Sequence, residues 1–279
     1  MNLGLIRRLA YFFLGVDSAP AQQSRSDRGA LVIGRATPAV AEPAENESDW
    51  KFDLVWARMA RSMSARQYSG LIHAKERDFG LAKIVMDHGG GGQWIERELR
   101  VPRQIIDGIE QDVTPITRAD DVEAAVSKHI LHLLYRGDEG LKKMFPDLKN
   151  AQGDDVLKTI INMAFRNAIE KAQIGFMPPH HERTAEQLAG WPEEKQWASK
   201  LLTVVGKQCQ SVSVATKEDG SWATTRHGAY VFVSQGKDDF HDAARNAYIA
   251  FRMWLIDQEA GWDMADADAG LCGGWAKKG

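Results

Sequence analysis

A change of hydrophobic period in the C-terminal third restricts the fold of this chain more than any other feature. Pro192, Glu193 and Glu194 form a favourable first helical turn, and Trp197, Leu201 and Val205 follow at helical spacing. Beyond Gly206 the pattern alternates: Val212 and Val214 are interleaved with serines, and Tyr230, Phe232 and Ser234 with Val231 and Val233. Asp219-Gly220 between them is a hairpin signal. Helical spacing then returns, opened by Asp238 or Asp239 and carrying Phe240, Ala244, Ala247, Tyr248, Phe251, Trp254 and Leu255 as far as Gly261. Two strand-like runs bracketed by amphipathic helices require a small antiparallel meander packed on those helices.

Upstream the signals read mainly as helix. Trp50 to Arg66 carries Phe52, Val55, Trp56, Met59 and Met63 at helical spacing. Leu71 to Met86 reads as a hairpin bending near Phe79-Gly80, and Gly89 to Gly92 breaks the chain before Gln93 to Gln111, which Pro102 divides. Thr117 and Asp120 approximate a capping box ahead of Val122, Ala125, Val126, Ile130 and Leu133, which predicts another helix. Asp154 opens a further one, with Leu157, Ile160, Ile161, Ala164, Phe165, Ala168 and Ala172 inward, ended by Gly175 and Pro178-Pro179. No repeat period emerges. The fold expected from these segments is α+β, predominantly helical. It comprises an N-terminal amphipathic helix and arm (1–48), a mainly helical domain (49–178), an α+β C-terminal subdomain (179–262) and a Gly-rich tail (263–279).

Leu3, Ile6, Leu9, Phe13 and Val16 line one face of the expected N-terminal helix. Arg7 and Arg8, the apolar run to Val16 and Ala19-Pro20-Ala21 also trace the outline of a signal peptide, against which Asp17 directly follows the run. That run is far short of the ~20 residues a bilayer-spanning helix needs, leaving peripheral membrane contact through residues 1–16 open. Residues 17–48 are rich in Ser, Ala, Pro, Gln and Glu, too polar to offset their own ordering entropy. Two cysteines in 279 residues make no disulfide framework, so a reducing, cytoplasmic compartment is expected. With 44% apolar and 26% charged residues and a net charge of −3, the chain is neither disordered nor dominated by phosphate contacts.

Several motif fragments fail the test of context. Asp78-Phe79-Gly80 resembles the magnesium-binding start of a protein-kinase activation segment, but no kinase Gly-rich loop or His-Arg-Asp loop precedes it. His88-Gly89-Gly90-Gly91 resembles an esterase oxyanion-hole segment, but no Gly-x-Ser-x-Gly elbow accompanies it. The glycines then serve flexibility or a close backbone approach. Phosphate-binding glycine signatures are absent. His129 and His132, with His180 and His181 in the proline-flanked loop, would form a zinc site if they converged. Arg97, Arg100 and Arg103, with Arg58, Arg61, Arg66 and Trp94, would form a single-strand-binding patch, although Glu96, Glu98 and Asp107 favour a solvated, salt-bridged face.

Nine tryptophans are many for this length, and Trp262 and Trp275 lie beyond the last predicted apolar face. Exposed tryptophans commonly anchor interfaces. The leading expectation is therefore a non-enzymatic adaptor or structural subunit, binding other protein subunits or further copies of itself through Leu5, Leu9, Phe12, Phe13, Trp262 and Trp275. No catalytic residue, metal ligand or cofactor is assigned. The alternatives are a metal-assisted hydrolase using the histidines and a nucleic-acid-binding accessory protein. Metal analysis and the salt dependence of oligonucleotide binding separate them.

Overall fold

The computed structural model describes residues 10–18, 28–40, 47–88, 91–121, 127–134, 154–176, 183–224, 231–234 and 239–273. Seven strands form one mixed sheet: β1 (Tyr11–Asp17), β2 (Arg28–Pro38), β3 (Trp50–Arg61), β4 (Leu81–Asp87), β7 (Ile116–Arg118), β8 (Lys128–Leu134) and β9 (Ile174–Phe176), in the order β7-β8-β4-β1-β2-β3-β9. β2 runs antiparallel to β1 and β3, whereas β4 is parallel to β1, β8 to β4, β7 to β8 and β9 to β3. β2 is therefore the one reversed strand, and β1 and β4 end side by side at the same edge. Outside this sheet, β5 (Arg103–Ile106) and β6 (Ile109–Asp112) make a hairpin, and β10 (Val212–Val214) pairs antiparallel with β11 (Phe232–Ser234).

Helices cover both faces. On one lie α1 (Ala65–Phe79) and α2 (Gly92–Leu99), enclosing Tyr68, Leu71, Ile72, Ile95 and Leu99 against Leu14, Val16, Leu31, Ile33, Ile84, Met86 and Leu131. Ser64 and Gln67 close a reciprocal capping box at the start of α1, and Gly80 ends it. On the other face lie α3 (Asp154–Glu170), α5 (Glu193–Ser211) and the long α6 (Asp239–Gly273), with the short α4 (Ala185–Ala189) leading into α5. Phe13, Val32, Phe52, Leu54 and Val85 of the sheet meet Phe165, Leu202, Val205, Phe240, Tyr248, Phe251 and Trp254 there.

The predominantly helical expectation is corrected by this sheet. A strand buried on both faces shows no alternation, which is why β1 reads as one face of a helix. Phe13 faces α6 while Leu14 and Val16 face α1 and α2, and all three are buried. Residues 50–61, expected as helix, are β3, whose Trp50, Phe52, Leu54 and Trp56 are buried at alternate positions. The expected hairpin at 71–86 is the end of α1 followed by β4. In place of the helix expected after Thr117 stand β7 and β8, with residues 122–126 between them outside the described set. Residues 11–17, expected in the N-terminal amphipathic helix, and 28–38, expected in the extended arm, are the centre of the sheet. Helices beginning at Asp154, Glu193 and Asp239, and the β10–β11 pairing, lie where the spacing places them.

Candidate active site: an acidic cluster at the strand ends

Two apolar strands each finish on an aspartate: Leu14-Gly15-Val16-Asp17 in β1 and Ile84-Val85-Met86-Asp87 in β4. Their register pairs Gly15 with Val85 and Val16 with Met86, so Asp17 and Asp87 occupy the next rung, on strands about 5 Å apart. Side-chain alternation carries Phe13, Gly15 and Asp17 to the face that α6 covers.

α6 runs antiparallel to β1. Phe251 meets Phe13 with ring centroids 5.6 Å apart, and Ala243 and Ala247 lie over Gly15. From Phe13 to Asp17 the strand advances about 13 Å. From Phe251 back to Asp242 the helix advances about 13.5 Å. The two lengths match, so Asp242 arrives beside Asp17. Gly15 makes this approach possible, since a Cβ there would stand 2.0 Å from the Ala243 carbonyl oxygen and 2.2 Å from the Ala247 nitrogen. The amide of Asn246 fastens the helix by donating from Nδ2 to the Val16 carbonyl at 2.9 Å in a buried position. α2 closes in from the far side: a Cβ on Gly92 would lie 2.0 Å from the Asp87 carbonyl oxygen. The glycines after His88 thus include one required for close backbone approach.

The charges gathered there are mostly negative. Burial, then the neighbouring carboxylates of Asp242, Asp87 and Asp239, push the Asp17 carboxyl up to about 8, against the opposing pull of Arg245. Arg245 is itself buried: its Nη1 donates to Asp242 Oδ1 and to Asn162 Oδ1 of α3, each at 2.9 Å. Its Nη2 donates to Asn246 Oδ1 at 3.2 Å and stands 3.9 Å from Asp87 Oδ2. The His241 ring Nδ1 lies 3.1 Å from Asp242 Oδ1. Asp239 and Asp242 alone would be ordinary first-turn acids favoured by the helix dipole. That reading does not account for Asp17 and Asp87, which face them from two different strands and at a cost in desolvation.

Oxygen-rich, net-negative groups of this kind match hard divalent cations such as magnesium and manganese. Asp17 carries the fit: a carboxyl that burial, and then neighbouring acids, push up to about 8 is one that a cation would ionise. Among the described residues no three His, Cys, Asp or Glu side chains are drawn tightly enough to ligate one ion. The Arg245 guanidinium, reaching Asp242 and approaching Asp87, supplies the positive charge in this arrangement.

The sequence-predicted sites fare differently. His129 and His132 lie on β8 rather than on a helix, and three residues apart along a strand they point to opposite faces. His129 instead accepts or donates with Thr117 Oγ1 at 3.2 Å and Ser127 Oγ at 3.3 Å. His180 and His181 lie outside the described residues. Of the proposed anchors, Phe13 is 0% exposed, and Phe12 is half-buried with its ring 5.3 Å from that of Phe79. Trp262 falls on α6, while Leu5, Leu9 and Trp275 are outside the described residues. Arg100 pairs with Glu96 at 2.9 Å and Asp121 at 2.6 Å, Arg103 with Asp112 and Arg66 with Glu110, a salt-bridged surface. In the sequence Asp17 reads only as the residue that ends an apolar run and Asp239 only as a helix opener, and neither Asp87 nor Asp242 is singled out. The shared position of Asp17 and Asp87, directly after Leu-Gly-Val and Ile-Val-Met, was the available signal.

No protein-family pattern and no curated protein matches this sequence. Among solved structures the chain is similar to the large terminase nuclease from thermophilic phage G20c, at 12% identity and a TM-score of 0.42, covering 86% of this chain and 81% of that one. The same nuclease with bound magnesium gives 14% identity and a TM-score of 0.41, covering 87% and 82%. The nuclease domain of the large terminase subunit gp2 of bacterial virus Sf6 gives 9% and 0.44, covering 87% of each chain. The expectation of a non-enzymatic adaptor is corrected: the described aromatic anchors Phe12 and Phe13 pack within its own fold, and a cluster of carboxylates gathers around the buried Asp17 at the strand ends. The chemistry assigned to this chain rests on its own carboxylates.

Proposed function

We propose that this protein is a divalent-metal-dependent nuclease, with an RNase H-like strand order and its active site at the carboxyl ends of β1 and β4. One observation carries the reading: the Asp17 carboxyl is pushed up to about 8, first by burial and then by the facing carboxylates of Asp242, Asp87 and Asp239. A fold pays for such repulsion where the acids have a task, and strongly perturbed carboxyls in a cluster mark functional sites. Asp17, Asp87 and Asp242, with Asp239 adjoining, are the residues that would hold the ion, and they would have to draw closer than they stand in the metal-free fold to do so. When bound it supplies Lewis-acid polarisation of a phosphodiester and offsets the charge that builds on the phosphate.

The chain's own groups do the remaining work. Arg245, gripped by Asn162 and Asn246, orients the Asp242 carboxylate and offers a guanidinium to a phosphate oxygen. His241 contacts the same Asp242 oxygen and limits its rotation. Asn246 fixes the spacing of helix and strand, and so of Asp242 and Asp17. Hydrolysis is thus expected from carboxylates, not from a histidine cluster.

The test is cleavage of plasmid and oligonucleotide DNA by the full chain with magnesium, with manganese and with chelator. Metal-dependent cleavage that falls at least a hundredfold in Asp17→Asn and in Asp242→Asn is the expected result, on the scale of losing an essential electrostatic group. Undiminished cleavage in both variants, or none with either metal, overturns the assignment.

A further inference from the structure

Most arginines of the described surface are matched to carboxylates, as at Arg66, Arg77, Arg100, Arg103, Arg118 and Arg166. The solvent side of α5 is different. Trp197 is 61% exposed and Val204 40% exposed, and Lys200 and Lys207 are exposed on the same stripe, at i, i+3, i+7 and i+10 from Trp197. At the start of the helix the Trp191 ring carries two cations, the Arg183 guanidinium 4.6 Å and the Lys195 ammonium 4.1 Å from its centroid. Among the described residues Arg183 Nε is buried without a hydrogen-bond acceptor. Among the described residues none of Arg183, Lys195, Lys200 and Lys207 has a carboxylate partner. Lys200 and Lys207 share the Trp197 stripe, and Arg183 and Lys195 share the Trp191 ring at the start of the helix; like charges held this near one another repel, so each pair leaves an anion to be supplied from outside.

The stripe also leads somewhere. α5 ends beside the start of α6, where Gln208 Oε1 accepts from the Phe240 backbone N–H at 2.9 Å. Burial, and then the charge of Asp242, push the thiol of Cys209 in the same turn up to about 12. From Lys195 to Lys207 the helix advances about 18 Å. That distance corresponds to roughly five phosphates of one strand of a duplex.

We propose that the exposed face of α5 is a nucleic-acid track, on which Arg183, Lys195, Lys200 and Lys207 engage backbone phosphates and Trp197 stacks on an unpaired base, delivering the strand to the acidic cluster. An acidic protein would match the charge but gives no use for an exposed tryptophan ring between lysines, whereas bases stack on such rings irrespective of sequence. The inference rests on the nuclease reading for the destination of the strand and not for binding itself.

The experiment measures binding of fluorescein-labelled single-stranded and duplex oligonucleotides to the full-length protein in chelator, across a series of salt concentrations. It compares wild type, the double variant Lys200→Glu/Lys207→Glu, its neutral counterpart Lys200→Gln/Lys207→Gln, and Trp197→Ala. All these side chains are exposed, so folding is preserved. Loss of two phosphate contacts in the Gln variant lowers the slope of log affinity against log salt by about 1.8 and weakens binding by about tenfold or more at low salt, with the Glu variant weaker still. Trp197→Ala weakens the single strand more than the duplex; equal loss on both identifies backbone contact alone and removes the stacking part. Wild-type protein that does not bind DNA overturns the proposal, as do charge variants that bind within twofold of wild type. Polyglutamate of equal charge competing as well as DNA overturns it in favour of an acidic protein. Wild type that binds through α5 but cleaves nothing with magnesium or manganese leaves the track standing and refutes the nuclease assignment instead.

Discussion

Replacing Gly15 by alanine adds one methyl group at the point where α6 rests directly on β1. Its Cβ would lie 2.0 Å from the Ala243 carbonyl oxygen and 2.2 Å from the Ala247 nitrogen, where ordinary contact begins near 3.4 Å. Both obstacles are backbone, so no rotamer change relieves them, and the helix must retreat by more than 1 Å. Overpacking a buried site costs about 1–3 kcal/mol. The retreat also stretches the buried Asn246–Val16 hydrogen bond, now 2.9 Å, whose loss adds about 1 kcal/mol. A total of about 2–4 kcal/mol is expected, seen as a reduced urea midpoint at unchanged m value. Activity should fall further than stability, because the same retreat carries Asp242 away from Asp17. Measured under conditions where the variant remains fully folded, DNA cleavage should drop by at least tenfold, the scale on which a displacement of about 1 Å acts. A Gly15→Ala protein within 0.5 kcal/mol of wild type would refute the close packing of helix on strand from which the site is built.

Two further outcomes follow from the same charges. Because the Asp17 carboxyl sits at about 8 when folded and at 3.8 as a free side chain, the native state binds the extra proton between those values, so its contribution to stability is greatest at low pH and declines as pH rises through that window. Asp17→Asn should accordingly stabilise the metal-free protein by a few kcal/mol at pH 8 and by almost nothing near pH 4, and thermal melts showing a pH-independent difference would contradict this. Lys83 is buried on the α6 face and pairs with Asp257, which is largely exposed. Lys83→Met should be close to neutral in urea unfolding, whereas Asp257→Ala strands a buried ammonium and should cost about 2–3 kcal/mol; equal effects from the two would refute the asymmetry.

Legibility of the sequence tracked wetness. α5 keeps one face in solvent, so its inward residues recur at helical spacing, whereas α6 is buried on nearly every side from Phe240 to Leu255 and is readable from its length and its acidic first turn; the starts at Asp154, Glu193 and Asp239 are legible. β10 and β11 pair as a short hairpin and alternate accordingly. The central strands have no wet face. In β1 the consecutive Phe13, Leu14, Gly15 and Val16 are all buried, and without alternation Phe13 and Val16 fit a helical stripe equally well. The acidic cluster was illegible for a different reason. Its members stand at 17, 87, 239 and 242, and only strand pairing and the antiparallel docking of α6 bring them together. His129 illustrates the opposite error: an assumed helix placed it beside His132, and the strand separates them.

The bond from Asn246 to Val16 joins residues 230 positions apart. During synthesis, therefore, Asp17 of β1 and Asp87 of β4 are made long before the helix that completes their surroundings. They gain their partners only when the final helix emerges and seats itself. On the proposed nuclease reading, a polypeptide halted before α6 lacks Asp239, Asp242 and Arg245 and should leave nucleic acid uncut, so removing that helix is a direct way to disarm the molecule.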